Sequence, residues 1–385
     1  MTENSERTRR IGIIVNGATG GVTNTKHLSH VLVPIIREGG LKLANGDRIV
    51  PDLLLLARDD AKLKEVADKY GLTNWTTDLE GALANKDYPL YFDAANTGGR
   101  LDRVRRAFDT GKHVYTEKPL AQTVHDAEKL VTAARKSQLK NGVVVDKIYL
   151  PGLKKLQQVL EAGTLGPLLA VKIDFGWWVF DGQDRPSQRA SWNYQKVNGG
   201  GLLLDMFPHW VSIIHHLFGD IAEICCQANT LIPERWDEDG KNFRVDVEDS
   251  VNAFMTLADG TPVQLSTSWA TRVYRKDLMT IQVDGRRGSA VATLHECFTQ
   301  SLEDTPKPYF DPENRQSMKF EKQWQAVKDT TPFVHSFRTG WEEFLSHVVQ
   351  DTPFKFDFEA GLKMMRVIDT AYKSVTDRRW EKVPH

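Results

Sequence analysis

This sequence predicts an α/β protein of two domains: an N-terminal parallel sheet with helices on both faces, then an α+β domain on a large, open, mainly antiparallel sheet. Three observations predict it. Short apolar strands alternate with amphipathic helices through roughly the first 145 residues. The chain then turns β-rich, with strand pairs joined at Asp-Gly dipeptides. A length of 385 residues, at about 150 per domain, also asks for two domains, placed at 1–146 and 147–385 with the last helices available to pack back on the first.

The first strand is Arg10–Val15, followed by the glycine-rich turn NGATGGV, Asn16–Val22. Leu28, Val31, Leu32 and Ile35 then fall at i, i+3, i+4 and i+7, the spacing of one α-helix face. The second strand, Asp52–Ala57, is reached through LKLANGDRIVP, where Asn45-Gly46 signals an inserted hairpin. A helix near Asp60–Tyr70, strand LYFDAAN, helix RLDRVRRAFDTG, strand HVYTEK, a helix from Ala121 to Lys136 and strand GVVVD complete the alternation.

A helix at LKKLQQVLEAG opens the second domain. Sheet segments LLAVKIDFGWWVF, VEDSVNAFMTLADGTPVQLSTSWATRVY and LMTIQVDGRRGSAVATL follow, with Asp259-Gly260 and Asp284-Gly285 as hairpin turns. Ser301–Gln323 is polar and Pro-containing, a surface excursion, and helices near Val334–Gln350 and Phe358–Asp377 close the chain.

Composition excludes several function classes. Fifty basic against 51 acidic residues leave a net charge of −1, which argues against nucleic-acid or anionic-membrane partners. Cys225, Cys226 and Cys297 form no CxxC pair, and an odd count suits no disulfide framework. No apolar run approaches the roughly 18 residues of a membrane span, and the N-terminus lacks an apolar signal region. No HExxH or similar spacing suggests a metal. A cytoplasmic protein is expected.

The turn after the first strand places Gly17, Thr19, Gly20 and Gly21 at the start of a helix, where backbone N–H groups can meet a pyrophosphate. The spacing is not a strict GxGxxG, and a merely tight strand-to-helix turn is the plain alternative. Strand before and helix after favour a Rossmann dinucleotide-binding domain. At the end of the second strand stands Ala57-Arg58 where an NAD-binding acid is usual. A guanidinium there suits a 2′-phosphate, so NADP is favoured over NAD, although Arg58 could also stack on adenine.

Two further segments hold candidate chemistry: GKHVYTEKPLA, with Glu117-Lys118-Pro119, and GGGLLLDMFPHWVSIIHHLFG, with Asp205 and His209 four apart. Together, in this order, they resemble the Gfo/Idh/MocA oxidoreductases, and the likeness extends from Arg10 onward. The resemblance implies NAD(P)-dependent hydride transfer at a secondary hydroxyl of a sugar, sugar derivative or inositol, with a homodimer or homotetramer. It implies His209 as base, Lys118 as charged donor to the same oxygen, and Asp205 as orienter of hydroxyls or of the histidine. Glu117 and Lys118, with Asn96, would serve the cofactor. Taken singly, Asp205 could instead cap a helix, Lys118 be a solvated charge and His209 a core histidine.

Departures from the family pattern are Asn96 for Pro and Arg100 for His in ANTGGR, and Pro208 inside the Asp-to-His stretch, where a helix must start late or kink. Trp192 offers a flat face to a pyranose or cyclitol, and Lys147 and Tyr149 are second-rank substrate contacts. Two rivals remain on the same scaffold: glycoside hydrolysis through transient oxidation, and a non-catalytic dinucleotide-binding regulator.

Overall fold

The computed structural model describes residues 7–182, 185–315, 318–329 and 332–384. The chain divides into two compact units, Met1–Asp146 with Val334–Arg366, and Lys147–Phe333 with Val367–His385. The helix Phe358–Asp377 therefore gives its first half to one unit and its second half to the other.

The first unit is built on β1 (Thr8–Asn16), β2 (Leu41–Lys42), β3 (Arg48–Leu56), β4 (Trp75–Thr76), β5 (Leu90–Asp93), β6 (His113–Thr116) and β7 (Asn141–Val143). Their order is β2-β3-β1-β5-β6-β7, with β4 beside β3. All pairs are parallel except β2 with β3, the hairpin turned at Asn45-Gly46. Gly46 takes φ +91°, and the Asn45 side chain accepts from Asp47 N–H, so the insertion follows its turn chemistry.

The helix after β1 departs from the expected winding. Over Thr23–Leu32 it is wound one residue wider per turn, with Val33 N–H donating to Leu28 O, before an ordinary turn at Val33–Arg37. Its buried residues Thr23, His27, Leu28, Val31 and Leu32 include pairs four and five apart. The helix Ser336–Gln350 brings Trp341 and Phe344 into this unit's core. Trp341 meets Phe92 and Tyr115 edge-on at 4.9 and 5.0 Å, and Phe344 stacks on Tyr115 at 4.3 Å. Each such pair adds about 0.5–1.5 kcal/mol beyond burial.

The second unit carries a nine-stranded sheet. Its members are β8 (Leu168–Gly176), β9 (Ile221–Asn229), β12 (Ser250–Leu257), β13 (Pro262–Ser268), β14 (Met279–Gly285), β15 (Gly288–Ala292), β16 (Cys297–Ser301), β17 (Gln325–Ala326) and β18 (Glu381–Lys382). β10 (Glu234–Trp236) and β11 (Asn242–Arg244) pair separately. Only β8 with β13 is parallel among the sheet's pairs in the described residues. Val251, Ala253, Met255 and Leu257 are buried while Asn252 and Phe254 are exposed, so one face is covered and the other open. The second hairpin differs from expectation: Gly285 is the last strand residue, paired with Gly288, and Arg286-Arg287 make the turn.

No helix among the described residues is long and apolar enough to cross a membrane, and no group of three or more potential ligands there could hold a metal ion.

Candidate active site

In the first unit the candidate residues follow the carboxyl ends of β1, β5 and β6, where parallel α/β sheets hold their ligands. Gly17 has φ +81°, and a Cβ on it would lie 2.7 Å from Ala94 C and Ala95 N. Only glycine lets β1 turn this close under the loop after β5. Gly17 and Ala18 N–H both donate to Leu56 O, closing the turn onto β3. Gly21, by contrast, faces open space, with nothing within 4 Å of a Cβ. Packing does not require glycine there, whereas a pyrophosphate approaching the backbone does. Thr19 completes this turn, and Arg58 stands exposed just beyond β3, beside Asp59, which caps the next helix at Lys62 N–H. This turn fits a dinucleotide phosphate.

The loop after β5 is held by two arginines. Arg103 grips the fully buried Asp93 with two bonds, Nε–Oδ2 at 3.0 Å and Nη2–Oδ1 at 3.2 Å, and donates to Asn96 O at 2.7 Å. Asn96 caps its own loop, accepting from Gly98 N–H. Arg100 is buried and donates to the carbonyls of Glu117, Pro119 and Ala95. Burial pulls its pKa down from the ordinary arginine value. Its charge ties the loop after β5 to the turn after β6.

That second turn is Glu117-Lys118-Pro119, with a cis peptide before Pro119. The two Glu117 carboxylate oxygens are engaged separately: Oε1 with His27 Nε2 at 2.6 Å, and Oε2 by Lys118 N–H at 3.0 Å. His27 accepts on Nδ1 from Trp341 Nε1–H at 2.9 Å.

In the second unit, Asp205 and His209 do not share one continuous helix. Leu202–Asp205 is a single turn that ends at Asp205, and a second helix, Phe207–Leu217, starts after Met206 with Pro208 in its first turn. Pro208 is tolerated there because its missing N–H would be unpaired anyway. Asp205 is thus the last residue of the first turn rather than a cap.

The glycines before it have separate reasons. A Cβ on Gly200 would lie 2.4 Å from Asn193 O, and Gly201 has φ +108° with the Glu248 carboxylate close beside it. Glu248 caps the short helix twice: its carbonyl accepts from Leu202 N–H at 3.1 Å and Oε1 from Leu203 N–H at 2.8 Å. Desolvation raises its pKa above the ordinary carboxylate value. Trp210 Nε1 donates to Thr267 Oγ1 on β13 and pins the second helix to the sheet.

Asp205 pairs with Arg189, whose guanidinium also donates to Asn193 Oδ1 at 2.6 Å and lies over the rings of Trp269 and Trp177. His209 is buried, with 8% exposure. Trp192 is half exposed, Lys147 lies at the surface margin, and Tyr149 is buried. Arg235, fully buried, bonds Asp249 at 3.2 Å and Val179 O at 2.7 Å, and sits 4.1 Å from the Tyr194 ring.

Comparison with known proteins accounts for both halves of this arrangement. Residues 53–145 match the oxidoreductase family with an NAD-binding Rossmann fold, and residues 153–291 match the GFO/IDH/MocA C-terminal domain. The D-xylose dehydrogenase of Paenarthrobacter nicotinovorans is 35% identical over 98% of each chain. The chain belongs to the GFO/IDH/MocA oxidoreductase family. The myo-inositol 2-dehydrogenase of Thermotoga maritima is 23% identical over 55% of this chain and 61% of its own. Levoglucosan dehydrogenase in complex with NADH superposes with a TM-score of 0.81, covering 98% of this chain and 100% of the other. At 18% identity that likeness shows the fold.

In this oxidoreductase the matched Rossmann span begins at residue 53, beyond the Gly17–Gly21 turn, so the unusual turn lies outside it. The structure gathers Gly17, Asn96, Glu117 and Lys118 on linked loops of one unit, and Asp205, Trp192 and His209 on neighbouring segments of the other. Sequence reasoning missed His27, Trp341, Arg103, Arg189 and Glu248. His27 lies four before Val31 on the helix face that turns inward, which was a readable signal. Arg189 and Glu248 had no local signal, because their partners lie 16 and 45 residues away.

Proposed function

We propose that this oxidoreductase is an NAD(P)-dependent dehydrogenase acting on a secondary hydroxyl of a sugar, sugar derivative or cyclitol. The observation that carries this reading is the support built under the reactive residues. Lys118 stands on a turn tied down through Glu117 and Arg100, Asp205 ends a short helix that Glu248 caps at its start, and His209 follows in the next helix. A chain that only bound dinucleotide would have no need of all three groups.

The Gly17–Gly21 turn and the start of the following helix would hold the pyrophosphate through backbone N–H groups. Arg58, exposed just beyond β3, would fork onto a 2′-phosphate and so favour NADP over NAD. The nicotinamide, when bound, supplies the hydride acceptor. His209 removes the hydroxyl proton as general base. The Lys118 ammonium donates to the same oxygen and favours the negative charge that develops there. Asp205 accepts from neighbouring hydroxyls while Arg189 holds its orientation, and the Trp192 face covers apolar C–H positions. Lys147 and Tyr149 are further candidate substrate contacts. Three free thiols fit a reducing cytoplasm, and the open sheet face fits a homodimer or homotetramer.

A panel of pentoses, hexoses, anhydrosugars and inositols with NAD and with NADP, followed at the nicotinamide absorbance, tests the reading. Turnover of at least one substrate is expected, falling about 10²–10⁴-fold in His209→Ala and in Lys118→Ala. Near-normal turnover in both variants would overturn the assignment. Glycoside cleavage without accumulation of reduced cofactor would replace it with the hydrolytic reaction.

A further inference from the structure

We propose that His27 is a positioning residue for the Glu117-Lys118-Pro119 turn, set in one tautomer by Trp341. The inference deepens the proposed function and rests on the reading that Lys118 acts at the reacting oxygen.

The argument is a donor count along a buried line. The Trp341 indole nitrogen can only donate, so its 2.9 Å contact makes His27 Nδ1 an acceptor and leaves no room for a proton there. The ring proton therefore sits on Nε2, which faces Glu117 Oε1 at 2.6 Å. That bond is short, as charge-assisted bonds to carboxylates are. Oε2 of the same carboxylate takes Lys118 N–H. The carboxylate is thus clamped between the imidazole on one side and the backbone of the reactive lysine on the other. Its plane fixes where the Lys118 backbone begins.

His27 itself has no freedom to shift. It is fully buried, with Phe92 at 4.6 Å, Phe337 edge-on at 4.9 Å and Trp341 edge-on at 6.1 Å. The wide winding of Thr23–Leu32 presents this ring inward from the helix that starts at the glycine turn. One imidazole therefore links the phosphate-receiving helix to the lysine turn. The Glu117 carboxylate, 12% exposed, would be left partly unpaired with one side-chain donor removed, a costly state that relaxes by movement of the turn.

The test has two parts on the full-length protein. Long-range ¹⁵N-histidine NMR of the wild type reads the tautomer without reference to turnover. The expected signal for His27 is a protonated Nε2 and a bare Nδ1, and the reverse tautomer or a doubly protonated ring overturns the proposal. In kinetics, His27→Phe keeps the ring packing and removes the donor. It should lower kcat about 10–100-fold, the cost of a displacement of about 1 Å at a reacting group, with little change in the sugar KM. His27→Gln, which restores an N–H near Nε2, should recover most of that loss. Trp341→Phe, should His27→Phe fold poorly, should likewise lower kcat with little change in the sugar KM. A His27→Phe or Trp341→Phe enzyme within twofold of wild type, or a His27→Gln variant no better than His27→Phe at equal Tm, overturns the relay. Absence of wild-type turnover on any sugar counts against the function instead, and the tautomer signal then decides the relay alone.

Discussion

The Arg189 guanidinium bonds the Asp205 carboxylate while lying 4.4 Å above the ring of Trp269. An arginine so placed does more than balance charge. Its planar fork and its stacked face fix the carboxylate in one orientation, which an ammonium on a flexible stem would not do. Arg189→Ala should therefore lower kcat/KM for the sugar about 10–100-fold, the cost of a displacement of about 1 Å at a group that orients the substrate. Arg189→Lys should recover only part of it. Equal activity of the Ala variant and wild type in steady-state assays would show that Asp205 needs no partner.

The two ends of the glycine turn should respond in opposite ways. Gly17→Ala forces a Cβ against the Ala94–Ala95 backbone at a positive φ, so thermal unfolding should show a clear loss of stability. Gly21→Ala meets nothing in the protein, so its Tm should match wild type while dinucleotide affinity, read by calorimetry, falls. A Gly21→Ala protein that binds dinucleotide normally would place the pyrophosphate elsewhere.

Arg58 is the proposed discriminator between the two cofactors. Arg58→Ala should weaken NADP binding about tenfold or more, the loss of a charge-assisted fork, while leaving NAD nearly unchanged. Equal loss for both would mean that Arg58 stacks on adenine instead.

The thiols should separate by burial. Cys225 and Cys226 are neighbours on β9, yet only Cys226 points into the core, and burial pushes the Cys226 and Cys297 thiols up to about 12. A raised thiol pKa means less thiolate, so at pH 8 only about 10⁻⁴ of each is reactive. A disulfide reagent at pH 8 should leave Cys226 and Cys297 largely unreacted in the native protein and titrate three thiols after unfolding. Rapid reaction of all three in the native protein would contradict the buried placement.

Much of this was legible beforehand because it rests on local chemistry. Asn45-Gly46 announced its hairpin, and Asp60–Tyr70 its helix, through residues that act on their own backbone. The Asp284-Gly285 turn was displaced by two residues because Gly288 pairs back across the strands, a matter of register that dipeptide chemistry does not set. Pro208 announced a break between Asp205 and His209, but not on which side of it Asp205 would fall.

By itself, the sequence determined the alternation of elements, the parallel-then-antiparallel change and the candidates Gly17, Lys118, Asp205 and His209, since periodicity and motif spacing are properties of nearby residues. The tertiary structure alone decided what holds those candidates in place. His27 meets Glu117 across 90 residues and Trp341 across 314, and Arg235 closes on Asp249 with no exposure to water. Such contacts exist only once packing has excluded solvent, because an unmatched donor or charge in that space is costly and each group must find the one partner the fold brings to it.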